Sequence, residues 1–237
     1  MTTVRKVIII ARHGYYTDID GIDQLTNESV QSMYAQGLDF ETTIGQDCQT
    51  GKAFVFHSNK PRTRNTARAR LAGIRKMTPA PQTETDLERV QFDGVMFRPD
   101  PRMSYRGIKM NGMGTEYCEW MLANRHATQN KGVEVTSFQQ IYDTRRPLLG
   151  DAVRLLENGN FGLGVISGHS PLVDIVVLSA VDSARSTPCT EYVGGQFDRE
   201  NIAHLVIDIN QKSGTTDARL LRNDLVLPVN LDVIKSF

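Results

Sequence analysis

The sequence predicts an α/β fold, a three-layer α/β/α sandwich around a mainly parallel central sheet. Three observations predict it. First, apolar, β-branched runs recur and stop abruptly in polar turns: Val7-Ile8-Ile9-Ile10-Ala11, Ala53-Phe54-Val55-Phe56 and Phe161-Gly162-Leu163-Gly164-Val165-Ile166. Continuous runs of this kind read as strands covered on both faces, as in parallel sheets. Second, the stretches between them carry apolar residues at helical spacing, and alternation of strand and helix favours layered packing. Third, 237 residues with no linker, repeat or low-complexity tract suit one large domain spanning 1–237.

In chain order, the first strand ends in Arg12-His13-Gly14. That turn lies at the carboxyl end of a strand, where open α/β sheets bind ligands. Thr26 reads as a helix N-cap with Glu28 in the first turn, and Val30, Met33, Tyr34 and Leu38 form one apolar stripe. The second strand ends at His57 and leads through Ser58 to Pro61, a residue suited to the first position of a helix. Ala67, Leu71 and Ile74 give that helix an inner face, and Arg62 sits in its first turn, where free N–H groups and the helix dipole favour an anion. The basic residues from Arg62 to Arg75 read as a solvated face of the same helix. Residues 98–159 read as an insertion. Within it a helix is expected over 113–126, and another over 136–157 that Pro147 kinks or splits. After the third strand comes Ser167-Gly168-His169-Ser170, with Ser170 as expected cap and Leu172, Ile175 and Val176 as the buried side of a further helix. Residues 202–209 and 219–226 each read as one strand.

Composition narrows the function. Twenty-seven basic and 27 acidic residues give a formal net charge of zero, so no overall basic field points to nucleic acid. No apolar stretch approaches the roughly 20 residues of a membrane span, and the first strand follows Met1-Thr2-Thr3 almost at once, without the pattern of a signal peptide. Cys48, Cys118 and Cys189 are odd in number and scattered, which points to reduced thiols in a cytoplasmic protein. His57, His126 and His204 show no metal-ligand spacing; structural roles are expected for His57 and His204, and an exposed helical position for His126.

What remains is a set of strand ends able to bind an oxyanion: Arg12 and His13 from the first, Arg62 from the second, His169 from the third. Alone, a histidine after a strand is more often a hydrogen-bonded turn residue. Together, Arg12-His13-Gly14, the Ser58, Arg62 and Thr66-Ala67 pattern, Gly168-His169-Ser170, and Leu25-Thr26 with Gly37 resemble the histidine phosphatase superfamily, also called phosphoglycerate-mutase-like. The motifs run in that family's order from residue 4 to about residue 208.

The resemblance implies a pocket partly covered by a helical cap over 98–159. It implies His13 as a nucleophile that forms a phosphohistidine, with Arg12, Arg62 and His169 binding the phosphoryl group and water completing hydrolysis, so that no metal or other cofactor is required. The residue types suit this chemistry. Arginine offers a permanent charge in a planar fork that pairs with phosphate oxygens, and a neutral imidazole can attack phosphorus in line. A carboxylic acid must protonate the leaving oxygen; Glu88, following Leu87, is the first candidate and Asp93 the second. The expected activity is a phosphomonoesterase acting on a phosphorylated small molecule or a phosphoprotein. A phosphomutase, or a phosphate-binding scaffold with little turnover, are the alternatives. The mutases carry a small hydroxyl residue and an asparagine where this chain has Tyr15, Tyr16, Thr17 and Asp18. That segment, with Arg98-Pro99-Asp100-Pro101, is similar instead to the protein-phosphatase branch.

Overall fold

Apolar side chains on both of its faces place β1 (Thr3–Arg12) at the centre of a seven-stranded sheet. The structure, a computed structural model, describes residues 3–45, 47, 48, 50–112, 114–198 and 201–237. After β1 come the hairpin β2 (Tyr16–Ile19) and β3 (Ile22–Leu25), the helices α1 (Asn27–Leu38) and α2 (Phe40–Ile44), then β4 (Ala53–His57), α3 (Pro61–Ile74), α4 (Glu84–Arg89) and β5 (Val95–Pro99). There follow a 3-10 turn at Pro101–Met103, α5 (Thr115–Ala123), the short hairpin β6 (Gln129–Asn130) and β7 (Val133–Glu134), α6 (Phe138–Arg145) and α7 (Pro147–Asn158). The chain closes with β8 (Leu163–Gly168), α8 (Leu172–Asp182), β9 (Ile202–Asn210), β10 (Thr216–Arg222), β11 (Leu225–Pro228) and α9 (Leu231–Lys235).

The strand order is β11-β10-β9-β1-β8-β4-β5. Neighbours from β1 to β5 pair in parallel, while β9, β10 and β11 add an antiparallel meander on the other side of β1. The sheet is therefore mixed, although β1, β8, β4, β5 and β10 all point the same way. The two-residue period of a strand sorts the core into two layers. Ile8 and Ile10 of β1 join Phe54 and Phe56 of β4 in a core with α5, α6, α7, α8 and α9. Val7, Ile9 and Ala11 join Ala53 and Val55 in a second core with α2 and α3. Helices thus cover both faces. Among the described residues no helix is long and apolar enough to cross a membrane.

Several sequence expectations change at this level. Residues 219–226 are not one strand: β10 and β11 are joined across Asn223-Asp224, with Asn223 at φ 51°. Asn accepts that left-handed backbone more readily than most residues. The expected helix over 113–126 is α5, beginning at Thr115, with Met113 outside the described residues; His126 is exposed in the turn beyond it. Pro147 does split its segment, and α7 buries Leu148, Leu149, Ala152, Val153 and Leu156 in the sheet core, so this helix lies in the sheet-covering layer and not over the pocket. The basic face of α3 is not a solvated stripe. Arg70 is 1 % exposed, with its Nε donating to Gln36. Arg68 donates to the carbonyls of Leu87 and Val90, and Arg75 to those of Gly51 and Asp93. Arg68 and Arg75 thus tie the end of α4 and the segments before β4 and β5 to α3, and Arg70 ties α3 to α1.

Thr26 caps α1 as expected, accepting from the amide of Ser29. Leu38, expected in the apolar stripe, is 41 % exposed. The contact it would have made is made by backbone: α1 and α3 meet at Gly37 and Gly73. A Cβ on Gly37 would stand 2.2 Å from the carbonyl oxygen of Arg70, and one on Gly73 2.0 Å from that of Tyr34. Because both obstacles are backbone atoms, the helices would have to separate. The crossing lies at the carboxyl-terminal ends of both helices. Gly73→Ala should therefore destabilise the protein by about 1–3 kcal/mol, the usual cost of overpacking, as read by urea denaturation; Gly51→Ala, with nothing within 4 Å of its added Cβ, is the control.

Candidate active site

The carboxyl ends of β1 and β8 are adjacent, and the ladder between them continues one step into the loops. The amide of His13 donates to the carbonyl of Gly168 at 3.0 Å. That bond brings His13 and His169 edge to face, with ring centroids 4.9 Å apart at 67°. Both are buried, at 4 % and 6 % exposure. The turn of Gly14 is pinned to α3, its amide donating to Thr66 Oγ1 at 3.1 Å.

Hydrogen bonds settle which imidazole nitrogens carry protons. His13 Nδ1 lies 2.8 Å from the carbonyl of Gly14, an atom that only accepts, so Nδ1 donates and the neutral ring holds its lone pair on Nε2. His169 Nε2 lies 3.0 Å from Ser58 Oγ. Ser58 Oγ is 2.9 Å from Thr63 Oγ1, which itself donates to the carbonyl of Lys60 at 2.8 Å. The Ser58 proton therefore goes to Thr63, and His169 Nε2–H donates to Ser58. Burial first, then the charges of His13, Arg62, Arg12 and Lys60, push the His169 imidazole down to about 3. Tyr105 packs beside it at 5.5 Å and donates its hydroxyl to the carbonyl of Ser170.

Arg12, Arg62 and Lys60 are thus all close enough to act on His169. Arg12 donates Nη1 to the carbonyl of Phe197 at 2.8 Å. Arg62, in the first turn of α3, stacks its guanidinium 4.0 Å above the Tyr16 ring, and Tyr16 in turn lies 5.5 Å from His13. Arg62 Nη1 is also ion-paired with Asp23 of β3, which Lys60 Nζ reaches at 3.2 Å. Arg12 Nε and Arg62 Nε are buried without a hydrogen-bond partner. Each strand end named in the sequence therefore delivers its residue to one place: a buried imidazole pair ringed by cations.

The two proposed acids are placed differently. Glu88, in the last turn of α4, has a side chain 54 % exposed and pairs with Arg64 Nη2 at 3.5 Å. Asp93 precedes β5, and the register Ala53↔Val95 to His57↔Pro99 puts it at the opposite end of the sheet from His57 and the pocket. Glu84, passed over in the sequence, is half-buried; its carboxylate accepts from Asn65 Nδ2 at 2.5 Å and from the amide of Leu25 at 3.2 Å, and burial raises its pKa. It ties β3, α3 and α4 together. Ser170, expected to cap α8, instead donates to Asp174 on that helix at 2.6 Å. His57 is buried, donating Nδ1 to the carbonyl of Ser58, and His204 is buried in β9 against Phe40, as expected of structural histidines. No group of three or more His, Cys, Asp or Glu among the described residues is arranged to hold a metal ion.

Sequence reading also missed the hairpin that supplies Tyr16 and Asp23. Its signal was present: Asp20-Gly21, both at positive φ (54° and 80°), forms the two-residue turn between Ile19 and Ile22.

No protein-family model matches the chain, and no curated protein sequence does. Solved structures do. A mycobacterial protein described as hydrolase 2 is similar over 100% of this chain and 97% of its own, at 15% identity and a TM-score of 0.54. A mycobacterial glucosyl-3-phosphoglycerate phosphatase, solved with inorganic phosphate, is similar over 94% and 97%, at 14% identity and a TM-score of 0.53. A candidate alpha-ribazole-5'-P phosphatase from Escherichia coli is similar over 95% and 99%, at 16% identity and a TM-score of 0.50. The chain thus has the fold shared by these hydrolase and phosphatase structures.

Proposed function

We propose that this protein hydrolyses phosphate monoesters through a covalent phosphohistidine on His13. The observation that carries the reading is the His13–His169 pair: one imidazole with its lone pair on Nε2, a second held neutral beside it, and two arginines in reach. Anion binding alone does not need a nucleophile among the cations.

In the first step His13 Nε2 attacks phosphorus, the P–O bond to the leaving group breaks, and the departing oxygen takes a proton from a carboxylic acid. The imidazole becomes cationic while bonded to phosphorus, and its Nδ1–H remains on the Gly14 carbonyl, which stabilises that charge. Arg12 and Arg62 would hold the equatorial oxygens, where charge accumulates as phosphorus changes partners. In the second step water attacks phosphorus, its proton passes to the carboxylate, and the P–N bond breaks to restore the neutral ring. We assign the acid to Glu88, whose side chain is exposed and pairs with Arg64, in the same first turn of α3 that carries Arg62. The substrate is a phosphorylated small molecule or a phosphoprotein.

Rapid quenching during turnover should trap an acid-labile, base-stable phosphoryl group that His13→Ala abolishes. A chelator should leave the rate unchanged; a strict requirement for magnesium or zinc would count against the mechanism.

The acid is tested separately. Glu88→Gln should slow hydrolysis of an alkyl phosphate by on the order of 10²-fold or more, and that of p-nitrophenyl phosphate far less, because nitrophenolate leaves without a proton. Equal losses on both esters would reject Glu88, and Glu84→Gln should then be compared in the same assay.

A further inference from the structure

Asp174 is wholly buried in the first turn of α8, yet its carboxylate plays no part in the chemistry above. Its hydrogen bonds show what it holds. Oδ1 accepts from the amide of Phe197 at 2.7 Å, and the carbonyl of the same residue accepts from Arg12 Nη1 at 2.8 Å. Oδ2 accepts from Ser170 Oγ at 2.6 Å, and Ser170 Oγ accepts from Gln196 Nε2 at 2.7 Å. The segment is also clasped from the far side. Arg222, 1 % exposed, lays its guanidinium 3.9 Å over the Phe197 ring and donates Nη2 to the carbonyl of Gly195 at 2.6 Å.

We infer that Asp174 is a positioning residue for Arg12, acting through the backbone of Phe197 to aim the guanidinium at the phosphoryl group. The inference rests on the reading of Arg12 as a phosphate ligand. A guanidinium at the end of a flexible side chain gains bidentate geometry only if its plane is fixed. Here the Phe197 carbonyl takes one terminal N–H, while Nε is buried with no partner of its own. The carbonyl can serve as that stop only if its loop is held, and Asp174 holds it twice: directly at the Phe197 amide, and through Ser170 at the Gln196 side chain. A carboxylate makes the stronger anchor, since charge-assisted hydrogen bonds are roughly twice as strong as neutral ones. Burial pushes this carboxyl up to about 6, against the hydrogen bonds from Ser170 and Phe197 and the charges of Arg222 and Arg12, which favour the carboxylate. Ser170, beside His169, belongs to the same network, so one buried carboxylate couples the third strand end to the arginine of the first.

The test is a double-mutant cycle read by the dissociation constant of inorganic phosphate, with thermal melting to confirm that each variant folds. Arg12→Ala should weaken phosphate binding on the order of tenfold or more. Asp174→Ala should do the same. Asp174→Asn keeps an amide oxygen for the Phe197 N–H and should lose roughly threefold; it carries the test if the alanine variant does not fold. In the Arg12→Ala background neither Asp174 change should weaken binding further by more than roughly twofold. A residue that merely supports the fold would cost the same with or without Arg12. Full additivity, or wild-type phosphate affinity in Asp174→Ala and Asp174→Asn, would overturn the proposal. Wild-type affinity in Arg12→Ala would instead overturn the reading of Arg12 as a phosphate ligand, which separates the two failures.

Discussion

One backbone hydrogen bond, from the amide of His13 to the carbonyl of Gly168, sets the distance on which the site depends. It is the last rung of the parallel ladder between β1 and β8, and it forms only because six residue pairs, Val7↔Leu163 to Arg12↔Gly168, are already in register. A slip of one residue would turn His13 to the other face and leave His169 without its partner, because side chains alternate along a strand. Val7 to Ala11 are buried on both sides, Ile8 and Ile10 in one core and Val7, Ile9 and Ala11 in the other, so each face of the strand is matched to its own layer. The sheet core and the imidazole pair are one construction, and the short Ser58–Thr63–Lys60 relay then orients the second ring.

Much of this was legible in the sequence because it is local. Runs such as Val7 to Ala11 and Ala53 to Phe56 announce buried strands by composition alone, and the residue that follows each run is placed by the chain itself. Hence Arg12, His13, Arg62 and His169 could be named without coordinates. Thr83 and Asp86, which form a reciprocal capping box, and Asp20-Gly21 were equally local signals for α4 and the β2–β3 hairpin, and went unread. Other features were not legible, because they are made by partners distant in sequence. Asp23 meets Arg62 from a different element, the Phe197 carbonyl meets Arg12 across 185 positions, and Gly37 meets Gly73 only where two helices cross. The order of antiparallel strands after β9 is likewise a matter of pairing, to which the hydrophobic pattern of a single strand is blind.

The distribution of basic residues shows why a neutral chain can still hold a cationic pocket. Arg68 and Arg75 of α3 are occupied with backbone carbonyls, and Arg70 with the amide side chain of Gln36. Only the first turn of that helix, with Lys60 at its cap and Arg62 just inside it, turns positive potential toward the imidazoles. Charge count was a poor guide to charge location: the same helix supplies both structural ties and cations facing the imidazoles, and which is which depends on what lies opposite each turn.

The ion pair between Arg62 and Asp23 bears on selectivity. An arginine already matched to a carboxylate does not wait for ligand in water; any anion that engages it must take the place of Asp23 or share the fork with it. Affinity at this position is therefore a difference between two carboxylate-or-phosphate contacts and not the full strength of either. On the proposed reading, a monovalent, weakly accepting anion would gain little from such an exchange, whereas a dianion would gain from Arg62, Arg12 and Lys60 together. If the pocket takes a phosphoryl group as proposed, the hairpin that carries Asp23 sets a threshold that ordinary anions of the solution would have to exceed.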